Sequence, residues 1–156
     1  MMHHRVLGHA RSAALAGLLA VAVATAAHAQ KKYDPGATDT EIKVGNIMPY
    51  SGPLSAYATI GKTEAAYFRK LNEEGGINGR KINFISYDDG YNPAKTVEQA
   101  RKLVEDDEVL LIFNSLGTPG NTAIQKYMNG KKVPQLFVST GNRTTRSRLA
   151  STPPIS

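Results

Sequence analysis

"VLLIFNSLGTPGNTAIQKYMNGKKVPQLFVS", Val109 to Ser139, holds two short apolar runs separated by a segment of helix length. Val109–Asn114 is a continuous apolar run of strand length, the pattern of a strand covered on both faces. The turn "SLGTPG" leads into a helix carrying Ala123, Ile124, Tyr127 and Met128, "NGKK" closes it, and Pro134–Ser139 reads as a second strand. Strand, helix, strand in that order predicts a parallel pair joined by a crossover helix.

The same alternation extends upstream. Glu41–Met48 alternates and then turns apolar, with Ile42, Val44 and Ile47, as a strand does. From about Thr59 to Glu74, Ile60, Glu64, Tyr67, Phe68 and Leu71 return every three or four residues and predict an amphipathic helix, stopped by the glycines of "GGINGR". Lys81–Tyr87 is the next predicted strand; Asn92 followed by Pro93 signals a capped helix start, with Val97, Ala100 and Val104 on its inner face. The order is strand, helix, strand, helix, strand, helix, strand. The fold class is therefore α/β, a doubly wound parallel sheet whose ligands sit at the carboxyl ends of the strands.

The two ends read differently. Arg5 and Arg11 precede an apolar stretch that closes on Ala27-His28-Ala29, the layout of a secretory signal peptide cleaved after Ala29. The apolar run is shorter than the ~20 residues a spanning helix needs, so no membrane span is expected after cleavage and the mature chain is expected in the periplasm. Residues 30–40 read as a polar leader, residues 41–141 as the ligand-binding lobe, and residues 142–156 as an irregular tail of the kind a shifted reading frame produces.

Charge and composition exclude several classes. The formal net charge is +6, yet two arginines precede residue 30 and Arg143, Arg146 and Arg148 follow residue 141, leaving 14 basic against 13 acidic groups between. A basic balance confined to the ends is no nucleic-acid footprint. All four histidines lie before residue 30 and there is no cysteine. The mature chain thus lacks the side chain most used for acid–base work at neutral pH and the usual zinc ligands; no catalytic residue, metal or cofactor is expected.

Each predicted strand runs into a loop of small and hydroxylic residues: "PYSGPLSAYATIGK", "YDDGYN", "NSLGTPGNT" and "STG". Such loops let a ligand approach the backbone, and exposed N–H and hydroxyl donors near a helix start accept a carboxylate; glycine, serine and proline also simply make tight turns. Tyr57 reads either as an aromatic wall of a pocket or as a packing residue heading the first helix. Asp88 and Asp89 point to opposite faces in an extended segment, which suits turn and cap acceptors better than a metal clamp. The acidic run Glu105–Glu108 reads as a solvated surface, and "GGINGR" follows a helix, which makes it a turn rather than a dinucleotide motif.

In order and spacing, "SGPLSAYA", "NEEGGINGRKI", "YDDGYNPAK" and "LGTP" resemble the periplasmic branched-chain amino-acid-binding proteins, the Leu/Ile/Val-type receptors of ABC importers, over Glu41 to about Gly141. That family's type I periplasmic-binding fold is two α/β lobes closing over a ligand, of which this chain would carry part of the first. The resemblance implies that Tyr57 is the aromatic wall, that Ser115, Leu116, Gly117 and Thr118 form the turn meeting the ligand carboxylate, and that Thr140 and Gly141 begin the turn adding backbone and hydroxyl contacts. It also implies an ABC permease complex as partner and a small amino acid or carboxylate as ligand. The acidic residue expected to take the ligand ammonium would belong to the second lobe. The expected function is an extracytoplasmic solute-binding component for branched-chain or related amino acids, truncated here after four strands and expected to retain little of that activity. A receptor for an aromatic acid, amide or urea-like solute, and an α/β hydrolase-like enzyme, are the alternatives.

Overall fold

The computed structural model describes residues 33–141; the signal-peptide reading and the tail reading lie outside them. Four strands, β1 (Glu41–Met48), β2 (Lys81–Asp88), β3 (Leu111–Phe113) and β4 (Gln135–Leu136), form one sheet in the order β2-β1-β3-β4. All pairs are parallel, with Ile42 beside Ile82, Gly45 beside Ile112 and Phe113 beside Leu136.

Three helices supply the crossovers: α1 (Ala58–Glu73), α2 (Pro93–Arg101) and α3 (Thr118–Lys131). The β1 to β2 crossover moves one way along the sheet, and those from β2 to β3 and β3 to β4 move the other way. Right-handed connections therefore put α1 on one face and α2 with α3 on the opposite one. Ala100, Leu103, Ile124 and Met128 pack with Ile47, Val109 and Ile112 as a buried core under α2 and α3. On the α1 face, Phe68 stacks on Phe84 at 5.1 Å and meets Phe113 edge-on at 5.8 Å.

Local chemistry explains the boundaries. Asn92 Oδ1 accepts from Ala94 N at 2.9 Å, capping α2 with Pro93 just inside it. The helix then widens into a π-turn, Lys102–Asp106, which sequence periodicity does not show. "GGINGR" is a tight turn, with Asn78 and Gly79 at positive φ and an Ile77 to Arg80 bridge. Most of the acidic run is exposed, as expected, with Glu105 facing Lys131 at 3.0 Å; Asp107 is drawn in to accept from Tyr87.

Some expectations change. β3 and β4 are three and two residues long, because left-handed φ at Asn114 and Phe137 interrupts the ladder, which resumes only as a single Leu116–Ser139 bridge. Tyr67 is 60% exposed and Ala123 is also exposed, so within the periodic sets of α1 and α3 these two face solvent. Residues 33–40 do more than lead in: Ala37 bridges Ile42 and Thr40 O accepts from Lys81 N at 2.8 Å.

Candidate functional site

The loops that leave the four strands meet at one edge of the sheet. The loop after β1 is tied to the end of β2 by Asp88, whose Oδ1 accepts from the backbone N–H groups of Tyr50 at 2.8 Å, Ser51 at 3.0 Å and Gly90 at 2.9 Å. Ser51 Oγ donates to its other oxygen. Burial pushes the Asp88 carboxyl up, but these donors outweigh it and hold it below the usual aspartate range. Asp89 turns the opposite way, buried, accepting from Tyr91 N at 2.9 Å and Thr96 Oγ1 at 2.7 Å. Both acids are thus the turn and cap acceptors their adjacency suggested.

Past Gly52, a short 3-10 turn, Ser55–Tyr57, delivers Tyr57 half-exposed at the head of α1. The β3 loop is drawn across to it by backbone pairing. Leu116 N donates to Ile47 O at 3.1 Å, Gly117 N to Ser139 O at 3.0 Å, and Ser139 N to Ser115 O at 3.0 Å. Asn121, buried in the first turn of α3, locks this loop by donating to Ser115 O at 3.1 Å and Gly117 O at 2.8 Å. Thr118 and Thr140 share a hydroxyl hydrogen bond of 2.7 Å, fastening the β3 loop to the β4 loop. Gly117 has φ +115, and a Cβ there would lie 2.8 Å from the Tyr91 ring, so only glycine suits the position.

Together these loops bound an open cavity of about 410 Å³, lined by Leu54, Tyr57, Ile60, Tyr91, Leu116 to Thr118, and Ser139 to Gly141. Six residues named from the sequence, Tyr57, Leu116, Gly117, Thr118, Thr140 and Gly141, line it together. Ser115 does not: it is buried, and its hydroxyl donates to Asn121 Oδ1 behind the loop. Leu54, Ile60, Tyr91 and the Ser139 side chain were not singled out. The signal for Tyr91 was its place in "DDGYN", where a left-handed φ of +61 turns the residue toward Gly117.

No lining residue carries a formal charge. α3 begins at Thr118, whose backbone N–H lacks an acceptor inside the helix and stands at the cavity wall; Pro119 has no N–H, and the N–H groups of Gly117 and Asn121 are taken by Ser139 O and Gly117 O. Apolar walls with convergent hydroxyl and N–H donors suit a small polar solute. Among the described residues no group of three or more acids or histidines could hold a metal, and no helix is long and apolar enough to cross a membrane.

A family model described as "Periplasmic binding protein" matches residues 41–153, well over half of the chain. The chain belongs to the periplasmic binding protein family. The match runs beyond Gly141, into the residues read as an irregular tail. Among curated relatives, the Leu/Ile/Val-binding protein of Escherichia coli K12 is 34% identical over 95 residues, covering 60% of this chain and 23% of the relative. Among solved structures, a fatty acid ABC transporter substrate-binding protein from Thermomonospora curvata superposes with TM-score 0.59 at 30% identity, covering 67% of this chain and 26% of that one. A solute-binding protein of an ABC transporter from Rhodopseudomonas palustris BisB5, in complex with 3,4-dihydroxybenzoic acid, superposes with TM-score 0.60 at 25% identity, over 69% of this chain and 30% of that one. The chain thus spans about a quarter of the length of the curated relative it matches. The parallel α/β sheet of this periplasmic binding protein is that of a type I periplasmic-binding fold.

Proposed function

We propose that this periplasmic binding protein is the extracytoplasmic solute-binding component of an ABC importer for branched-chain or related amino acids, and that residues 41–141 supply one wall of its cleft. The observation that carries this reading is the uncharged cavity at the carboxyl edge of the sheet, where Leu116–Thr118 and Thr140–Gly141 converge beside the start of α3. Neutral N–H and hydroxyl donors hold a carboxylate strongly once water is displaced, while Leu54, Tyr57 and Ile60 offer apolar surface to an aliphatic side chain. The similarity to the Leu/Ile/Val-binding protein supports the same class. The permease complex is its partner, the periplasm its compartment after cleavage behind Ala29, and it performs no chemistry.

A second reading, an aromatic acid as solute, is favoured by one feature: Tyr91 joins Tyr57 in the lining, and two tyrosines can face an aromatic ring. Melting the full chain against leucine, isoleucine, valine and 3,4-dihydroxybenzoate distinguishes the two, because a solute that binds the folded state raises its Tm. Stabilisation by the aliphatic amino acids supports the first reading. Stabilisation by dihydroxybenzoate alone replaces it with the second, and turnover of a p-nitrophenyl ester would overturn both.

A further inference from the structure

Beneath the cavity, on the α1 face of the sheet, lies a chain of polar side chains that the proposed site does not use. Glu64 of α1 accepts from Asn114 Nδ2 through one carboxylate oxygen and from Asn46 Nδ2, at 3.3 Å, through the other. Asn46 is fully buried, and its Oδ1 accepts from Ser86 Oγ at 2.6 Å, which in turn meets Tyr50 OH at 2.6 Å. On the other side Asn114 Oδ1 accepts from Ser139 Oγ. Ser139 lines the cavity; Glu64 does not.

The order of donors along this chain follows from its centre. An ionised carboxylate only accepts, so Asn114 must turn its NH2 toward Glu64 and its carbonyl oxygen away, while Asn46 is held the same way round by Phe113 O as well, to which its Nδ2 donates at 2.9 Å. Asn114 then offers Ser139 an acceptor, and the Ser139 proton is committed to it. The Ser139 backbone N–H and C=O are already taken up by Ser115 and Gly117. What remains of Ser139 for the cavity is a pair of hydroxyl lone pairs.

We propose that Glu64, through Asn114, is a positioning residue that fixes Ser139 as a hydrogen-bond acceptor in the cavity wall, so that the site selects solutes presenting an N–H donor such as an ammonium group. The inference rests on the cavity being a solute site, and it adds a donor requirement to a wall otherwise made of donors. Glu64→Gln reverses the logic. Glutamine offers one oxygen and one NH2, so one asparagine must invert, and an inverted Asn114 donates to Ser139 and frees its proton toward the cavity.

The test compares L-leucine with 4-methylpentanoate, the same carbon skeleton without the ammonium, by NMR titration of the 15N-labelled full chain. The native protein is expected to favour leucine by about tenfold, the contribution of one hydrogen bond to a charged group. Ser139→Ala and Glu64→Gln are both expected to erase most of that preference, Glu64→Gln partly by strengthening 4-methylpentanoate binding through the freed Ser139 proton. The side-chain amide of Asn114 provides a second readout: a changed Nδ2–H chemical shift in Glu64→Gln, with the backbone spectrum away from the cavity unmoved, supports the relay. Leucine binding with the preference unchanged in both variants overturns the inference alone. Absence of any cavity shift with either solute overturns it together with the solute-site reading.

Discussion

Gly117 concentrates the residue-scale demands of the site, since its φ of +115 and the Tyr91 ring, 2.8 Å from where a Cβ would stand, exclude any side chain. Gly117→Ala is expected to cost about 1–3 kcal/mol of stability and to displace Tyr91 from the cavity wall, which a denaturation series checks. Asp88 carries a pH signature. Its carboxyl sits below the ordinary range in the folded state, so it adds stability above the unfolded value that is lost as pH falls through the folded one. Asp88→Asn should therefore flatten the acid limb of the stability profile and leave the neutral region less stable; an unchanged acid limb would show that the loop is held by other contacts. Glu64 works in the opposite sense. Burial raises its carboxyl above the usual range despite the Asn114 hydrogen bond, so its ionisation weakens the fold as pH rises through the interval between the unfolded and folded values. At this scale the sequence revealed hydroxyl and glycine positions but not orientation. Ser115 and Thr118 look alike in "NSLGT", yet Asn121 captures the Ser115 hydroxyl while Thr118 faces Thr140.

At the scale of elements, the helices were legible because their caps and periods are local. The Asn92-Pro93 start of α2 is such a case, and Asn92→Ala should cost about 1 kcal/mol by leaving the Ala94 N–H uncapped, measurable as a shift in denaturation midpoint. The strands were legible in place but not in length. "VLLIFN" and "PQLFVS" carry unbroken apolar stretches, Val109–Phe113 and Leu136–Val138, so nothing in these stretches marks where the ladder stops. In the fold the ladder ends where Asn114 and Phe137 take left-handed φ of +48 and +54. Helix α1 was placed correctly, but Glu64 counted there as part of a face and not as the centre of a polar chain, because its partners Asn46, in β1, and Asn114, just past β3, are distant in sequence.

For the described lobe as a whole, the two faces of the sheet are unequally covered. The α2–α3 face closes over a buried core, whereas on the α1 face a groove along Thr63, Tyr67, Phe68 and Phe113 stays open and Phe137, edge-on to Phe113 at 5.6 Å, is 76% exposed. Exposed aromatic surface of this kind binds apolar dyes. The chain is expected to enhance 8-anilinonaphthalene-1-sulfonate fluorescence, with Phe137→Ser lowering it; equal fluorescence in the two would place the exposed surface elsewhere. The topology explains why the convergence of these loops was legible. Parallel strands alternating with helices send every strand-to-helix loop to one edge, so residues far apart in sequence, Tyr57 and Gly141 among them, meet without any long-range signal in the sequence itself. The most direct test of that convergence is a 1H–15N spectrum of the labelled full chain titrated with L-leucine. Shifts are expected at Tyr57, Leu116–Thr118, Thr140 and Gly141 with the Gly75–Arg80 turn unmoved. Shifts confined to the Thr63–Phe68 groove, or none at millimolar leucine, would contradict that expectation.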